Sequence, residues 1–310
     1  MTNTQSPQNI SAEILKILVH NSLALSIFNA FSLVCLAHRK MGVEGRKKDI
    51  LNQFGEQTLR ADFAAEQTFL EYLRKYAEEK EIILEVRGEE TATSILGDKG
   101  KKYFAVLDGL DGSSNYLNPS EWPYGTMFAV AKGGNPLYRD FEVAGIGLPE
   151  ENWILIAIKE CGVFIYDIDH QIYRRIKSFH AVKYDETKIL SDNYFPEAKR
   201  MLGKMQKSWS RSGSIAASII AIVIGEQIAD DKYSKMNGNW QGLADVTRKG
   251  NLEQPVSYLI LSELGGVVVD KNGKDIGNRH FKNWGQNKKV PIISAKSQEI
   301  AKKILSKLIV

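Results

Sequence analysis

Asp108-Gly109-Leu110-Asp111-Gly112-Ser113-Ser114-Asn115 is the stretch whose residue types can do chemistry. It directly follows an apolar run at 103–107. Two carboxylates in this spacing can face one hard cation, with the Leu110 carbonyl between them, and oxygen-only ligation suits Mg²⁺ or Mn²⁺. Gly112 lets the backbone turn tightly, so the amides and hydroxyls of Ser113 and Ser114 can face an anion. A helix opening there would add its N-terminal amides. The same letters also describe an Asx-capped turn, and DxxDG is short enough to occur by accident. Its company argues for chemistry, because Gly88-Glu89-Glu90 closes another strand-like run and brings further carboxylates.

Other chemistries find little support. His20, His38, His170, His180 and His280 are scattered, which excludes a zinc centre or a histidine nucleophile built on clustered ligands. There is no GxxxxGK[ST] phosphate loop. The two cysteines, Cys35 and Cys161, have no metal or redox spacing and read as reduced small hydrophobes of a cytoplasmic protein. Lys and Arg total 41 against 37 Asp and Glu, a balance too even for a nucleic-acid binder.

These side chains must be positioned by an ordinary soluble core. With 310 residues, 43% of them hydrophobic and 25% charged, the chain can fold without disulfides as two domains or one large α/β unit. Residues 1–10 are polar and expected to be disordered. The stretch 14–37 is apolar but interrupted by Lys16, His20, Asn21 and Asn29, so it reads as one buried helix closing near Gly42, neither membrane anchor nor signal peptide. Residues 42–60 are charged and read as a mobile loop or hairpin carrying Lys47 and Lys48, a surface loop in the first instance and a cover for the site in the second. A helical face recurs over 62–80. Strands are expected at 82–86, 103–107, 127–131, 141–146 and 153–166, then at 189–191, 209–211, 267–269 and 290–294. Helices are expected at 213–225, from about Pro255 to Leu264, and at 298–308. A soft boundary near 185 divides an N-terminal α+β half, 11–185, from a C-terminal α/β half, 186–310.

In this order the pieces resemble the metal-dependent, lithium-sensitive phosphatase superfamily that includes inositol monophosphatase and fructose-1,6-bisphosphatase. Its pattern is an Asp opening a helix (Asp62), GEE (Gly88-Glu89-Glu90), DPxDG[ST]xN (Asp108 to Asn115) and a late acid ahead of an ExGG turn (Glu263-Leu264-Gly265-Gly266). The resemblance covers the chain from about Ile14 to its end. It departs at Gly109, where the superfamily has Pro, a change expected to loosen the turn while keeping every oxygen ligand. The late acid is Glu253 by the spacing of the bisphosphatase branch. The alternative, Asp245, resembles the Trp-Asp pair of the inositol branch but needs an insertion.

The resemblance implies a layered α/β/α/β/α sandwich and a site with two or three Mg²⁺ ions, Mn²⁺ substituting. Glu89, Asp108 and the Leu110 carbonyl would hold one ion, and Asp108, Asp111 and Glu253 a second. Asp62 and Ser113 would orient the attacking water. Gly112, Ser113 and Ser114 would bind phosphate, with Arg211, Gly213, Ser214, Arg248 and Lys249 on the substrate side. The implied activity is hydrolysis of a small phosphorylated metabolite of the inositol monophosphate or fructose 1,6-bisphosphate type. The alternatives are a 3′-phosphoadenosine phosphate nucleotidase and a regulatory protein that keeps the fold without turnover. A cytoplasmic homodimer or homotetramer, with no membrane and no nucleic-acid partner, completes the expectation.

Overall fold

The computed structural model describes residues 7–52, 55, 57–118, 121–224 and 236–309. Three helices open the chain, α1 (Pro7–His20), α2 (Ser22–Met41) and α3 (Arg60–Glu79), with a short hairpin of β1 (Ile50–Leu51) and β2 (Gln57–Thr58) before α3. An eight-stranded sheet follows, built from β3 (Ile82–Gly88), β4 (Ser94–Leu96), β5 (Lys101–Asp111), β6 (Gly125–Lys132), β7 (Phe141–Leu148), β8 (Trp153–Ile158), β9 (Gly162–Asp167) and β10 (Ile172–Arg175). Its order is β10-β9-β8-β7-β6-β5-β3-β4, antiparallel except where β5 runs beside β3. Between β5 and β6 lies the short helix α4 (Ser113–Leu117).

A second sheet, order β11-β12-β14-β13, is formed by β11 (Ile189–Ser191), β12 (Gly242–Val246), β13 (Val267–Asp270) and β14 (Pro291–Ala295). The remaining α-helices among the described residues are α5 (Pro196–Leu202), α6 (Ile215–Ile224), α7 (Glu253–Glu263) and α8 (Gln298–Leu305).

Alternation along β5 shows how the layers stack. Ala105 and Leu107 pack with α1–α3, whereas Phe104 and Val106 face α6 and α7 on the other side. Ten consecutive residues of α6 are buried because the helix is clamped between the two sheets. The outer face of the second sheet, with Ala244, Val269 and Ile293, is closed by Ala198 and Leu202 of α5 and Ile300 and Ile304 of α8. The order is therefore helices, sheet, helices, sheet, helices: the expected α/β/α/β/α sandwich.

Local expectations fail where tertiary packing or a single cap decides. The long first helix is two. Asn21 interrupts it, and its side chain accepts a hydrogen bond from the Ala24 amide, starting α2 anew. The first turn of α1 begins at Pro7, inside the stretch expected to be disordered, while residues 1–6 lie outside the described residues. The run 153–166 is a hairpin, β8 and β9, turned at Glu160, which has a positive φ. Residues 209–211 contribute only an isolated bridge, Ser210 to Leu190. The end of the expected helix 213–225 falls outside the described residues beyond Ile224. By length and composition α2 could cross a membrane, yet Ala24, Ile27, Phe31 and Val34 are buried in the core beside α3 and β7.

Candidate metal and phosphate site

Asp108 and Asp111 reach one place through a fault in strand pairing. In a regular strand, residues three apart point to opposite faces. Here Asp108 pairs with Met127 and Asp111 with Gly125, so β5 spends one more residue than β6 over the same step. Such a bulge rotates the chain and brings both carboxylates to one side. Thr126 holds it by donating its hydroxyl to the Gly109 carbonyl at 2.7 Å, and the Leu110 amide donates to Asp108 Oδ1 at 3.0 Å. Gly112 then turns at φ +95°, where a side chain would meet Ser214 at 2.9 Å.

Glu253 joins them as the first residue of α7. One carboxylate oxygen each from Asp108, Asp111 and Glu253 lie within 4.8 Å of one another, and all three side chains are buried. Asp111 Oδ2 accepts from the Ser214 hydroxyl and the Ala216 amide, both at 2.6 Å. Glu253 Oε2 is buried with no hydrogen-bond partner among the described residues. Burial, and then the neighbouring Glu89 and Asp111, push the Asp108 carboxyl well above its ordinary range. Burial raises Glu253 to about 7 against the opposing pull of Arg248. Clustered carboxylates with a free buried oxygen are the donor set of a hard divalent cation, so the residues fit Mg²⁺ or Mn²⁺. Asp245 lies outside the cluster. Its Oδ1 accepts the Val246 amide, and its electrostatic partner is Arg248.

Arg248 is less free than the sequence suggests. Its guanidinium pairs with the buried carboxylate of Asp192, just past β11, and its Nε lies 3.5 Å from Glu253 Oε1. Arg248 also lines the cavity over the site.

Asp62 stands in the first turn of α3, 4% exposed, with Oδ1 buried and unpartnered. Burial and then the charges of Glu89, Glu90 and Glu66 raise its carboxyl. Gly109 is the point where α3 presses on the bulge. A Cβ there would lie 2.4 Å from the Asp62 carbonyl oxygen and 2.7 Å from its Oδ1. The glycine admits the close approach of Asp62. One turn further on, Glu66 is fully buried and accepts from the amides of Glu89, Glu90 and Thr91 and from the Thr91 hydroxyl, at 2.7–3.0 Å. The sequence analysis missed it, although Glu66 follows Asp62 at the spacing that shares a helix face.

A cavity of about 510 Å³ opens over these groups. Glu89, Asp108, Leu110, Asp111, Gly112, Ser113, Ser114, Arg211, Gly213, Arg248 and Glu253 all line it, as the expected site requires. Ser214 sits behind the wall, bonded to Asp111, and the Lys249 side chain lies outside the described residues. Four lining residues were not foreseen: Asp192, Tyr194, Phe195 and Lys289. The Lys289 ammonium lies 3.3 Å from the centre of the Phe195 ring, and Tyr194 is 61% exposed at the wall. Asp192 and Tyr194 follow the end of a parallel strand, where α/β sheets carry ligand residues. Lys289 arrives by long-range folding and left no local signal. Lys47 pairs with Glu44 at 2.7 Å, and neither Lys47 nor Lys48 lines the cavity.

No family model matches the chain. Solved structures share its fold over nearly their whole length. Fructose-1,6-bisphosphatase from Leishmania major superposes with a TM-score of 0.65 at 16% identity, covering 96% of this chain and 97% of that one. A hypothetical protein from Pyrococcus horikoshii with similarities to inositol-1 monophosphatase gives 0.61 at 21% identity, covering 94% and 98%. The extragenic suppressor protein SuhB from Bartonella henselae gives 0.62 at 19%, covering 91% and 97%. Among curated sequences, the class 1 fructose-1,6-bisphosphatase of Amoebophilus asiaticus is 29% identical over 138 residues, 44% of this chain. That match spans only 39% of the relative's length. The resemblance read from the motifs is thus borne out in the fold, which is that of the inositol monophosphatase and fructose-1,6-bisphosphatase superfamily.

Proposed function

We infer that the protein is a metal-dependent phosphatase acting on a small phosphate monoester, with Mg²⁺ as the working ion and Mn²⁺ as its substitute. The observation that carries this reading is the triad of Asp108, Asp111 and Glu253 at one wall of a cavity whose other walls bear Arg211, Lys289 and the Ser113–Ser114 turn. Divalent ions held by such a triad supply a nucleophilic water near neutral pH and neutralise phosphoryl charge. General acid–base help contributes only ~10²–10⁴-fold and does not suffice for a monoester.

Within this reading Glu89, Asp108 and the Leu110 carbonyl hold one ion, and Asp108, Asp111 and Glu253 a second. Asp62 and Ser113 orient water. Gly112, Ser113 and Ser114 receive the phosphate oxygens, and Arg211 faces the remainder of the substrate. Inositol monophosphate and fructose 1,6-bisphosphate are the leading substrates. A nucleotide such as 3′-phosphoadenosine 5′-phosphate is the second reading, favoured by exposed Tyr194, whose ring can stack on a base. The reading retains a cytoplasmic homodimer or homotetramer. Phosphate release from these three compounds, compared pairwise with Mg²⁺ present and absent, tests the class and ranks the substrates.

A further inference from the structure

Glu66 occupies a place that the loop 88–91 is shaped to receive. Its Oε1 accepts from the Glu89 amide at 2.7 Å and the Glu90 amide at 3.0 Å. Its Oε2 accepts from the Thr91 amide at 2.9 Å and the Thr91 hydroxyl at 2.7 Å. Successive amides turned toward one carboxylate form an anion-binding concavity, here filled by the protein's own side chain. Gly88 shows how closely the loop is wrapped, since a Cβ there would stand 2.4 Å from Glu66 Oε2 and 2.6 Å from Thr91 Oγ1. Glu66 also reaches the other loop of the site, with its Cγ 3.0 Å from where a Cβ on Gly109 would be. One helix turn of α3 thus grips the loop bearing Glu89 through Glu66 and abuts the bulge between Asp108 and Asp111 through Asp62.

We propose that Glu66 is a positioning residue that sets Glu89 relative to Asp108 by binding the amides of residues 89–91, and thereby tunes the affinity of the site for its divalent ion. The proposal rests on the metal-site reading above. Glu66 is not itself a ligand, because both of its oxygens are committed to loop donors. Partners that orient metal ligands in this way are typically worth ~10–100-fold in metal affinity.

The test is direct Mn²⁺ binding to the full chain, followed by the electron paramagnetic resonance signal of free Mn²⁺, which needs no turnover. Glu66→Ala removes the anchor. Gly88→Ala leaves Glu66 in place and pushes a methyl group into its carboxylate. Leu70→Ala, one turn along the same helix, reports loss of α3 packing alone. The expected result is a Kd raised 10–100-fold in Glu66→Ala and in Gly88→Ala, and a Kd close to wild type in Leu70→Ala. Near-ultraviolet circular dichroism identifies the variants that remain folded; should Glu66→Ala unfold, Gly88→Ala carries the comparison. Folded Glu66→Ala or Gly88→Ala protein binding Mn²⁺ within threefold of wild type overturns the proposal, as does Leu70→Ala weakening binding equally. Wild-type protein that binds no Mn²⁺ overturns the metal site itself, an outcome distinct from the other two.

Discussion

The Asn115 carboxamide donates to the carbonyl of Ser212 at 2.9 Å and, with the same nitrogen, to the carbonyl of Pro123 at 2.9 Å. It joins the turn that ends β5 to the loop that brings Arg211 and opens α6. Gly213 in that loop has φ +74°, and a Cβ on it would approach Asn115 Oδ1 to 3.0 Å. Asn115 therefore ties the turn after β5 to the loop before α6, alongside Asp111, which accepts from the Ser214 hydroxyl and the Ala216 amide.

Replacing Asn115 with Ala leaves two carbonyls short of a donor, at a cost of about 1–3 kcal/mol. We expect a lower Tm and a KM raised more than kcat falls, since the loop carrying Arg211 loses one of its ties to the turn carrying Ser113. Steady-state kinetics on the preferred substrate check this; unchanged KM would refute the linkage.

Gly109→Ala places a methyl group against the main chain of Asp62, which cannot move aside as a flexible side chain would. Overpacking of this kind costs about 1–3 kcal/mol. Proline, the residue the superfamily pattern carries here, meets the same obstacle. Thermal melts should show both variants less stable than wild type; a stabilised Gly109→Pro protein would contradict the close approach of α3.

His38 is 4% exposed, with neither ring nitrogen hydrogen-bonded among the described residues, between Tyr116 and Tyr124 at 6.1 and 5.9 Å. Burial lowers its pKa from 6.5 to about 4. Between those values the unfolded chain takes up a proton that the folded chain resists, so stability intact above pH 6.5 is lost as pH falls toward 4. The loss amounts to about 3 kcal/mol. Urea titrations of wild type and His38→Phe at pH 7 and pH 4.5 should show the variant losing less; parallel losses would remove His38 from the account.

Glu253, held near 7 by burial, binds a proton in competition with a metal ion. Deprotonation must precede ligation, so Mn²⁺ affinity should rise as pH increases from 6 to 8, by up to ~tenfold per unit below pH 7. Titrations at fixed ionic strength measure it, and a flat profile would contradict a Glu253 carboxyl raised toward neutrality.

The part of this site legible in the sequence is the part written locally. Strand β5, the Asp108–Asn115 turn and the Gly88-Glu89-Glu90 loop could be placed from residue type, order and spacing, whereas Glu253 is preferred over Asp245 only through the family resemblance. The bulge that turns Asp111 back beside Asp108 could not, since it depends on pairing with Met127 and Gly125. The counter-charges of Arg248, namely Asp192 and Glu253, lie on other elements and left no local signal. Lys289 went unseen for the same reason. Asn21 was visible as a polar interruption, but only its hydrogen bond to Ala24 shows that it starts a second helix. Local chemistry names ligands; the pairing of distant segments decides which charges remain free.

The central claim is tested most directly by phosphate release from inositol 1-phosphate, fructose 1,6-bisphosphate and 3′-phosphoadenosine 5′-phosphate, measured with and without Mg²⁺ in wild type and Asp108→Asn. The account predicts Mg²⁺-dependent turnover of at least one compound, inhibition by lithium, and a loss of at least ~10²–10³-fold in the folded variant, the scale of removing one preorganised electrostatic group. Turnover that persists without a divalent ion, or an Asp108→Asn protein as active as wild type, would contradict it.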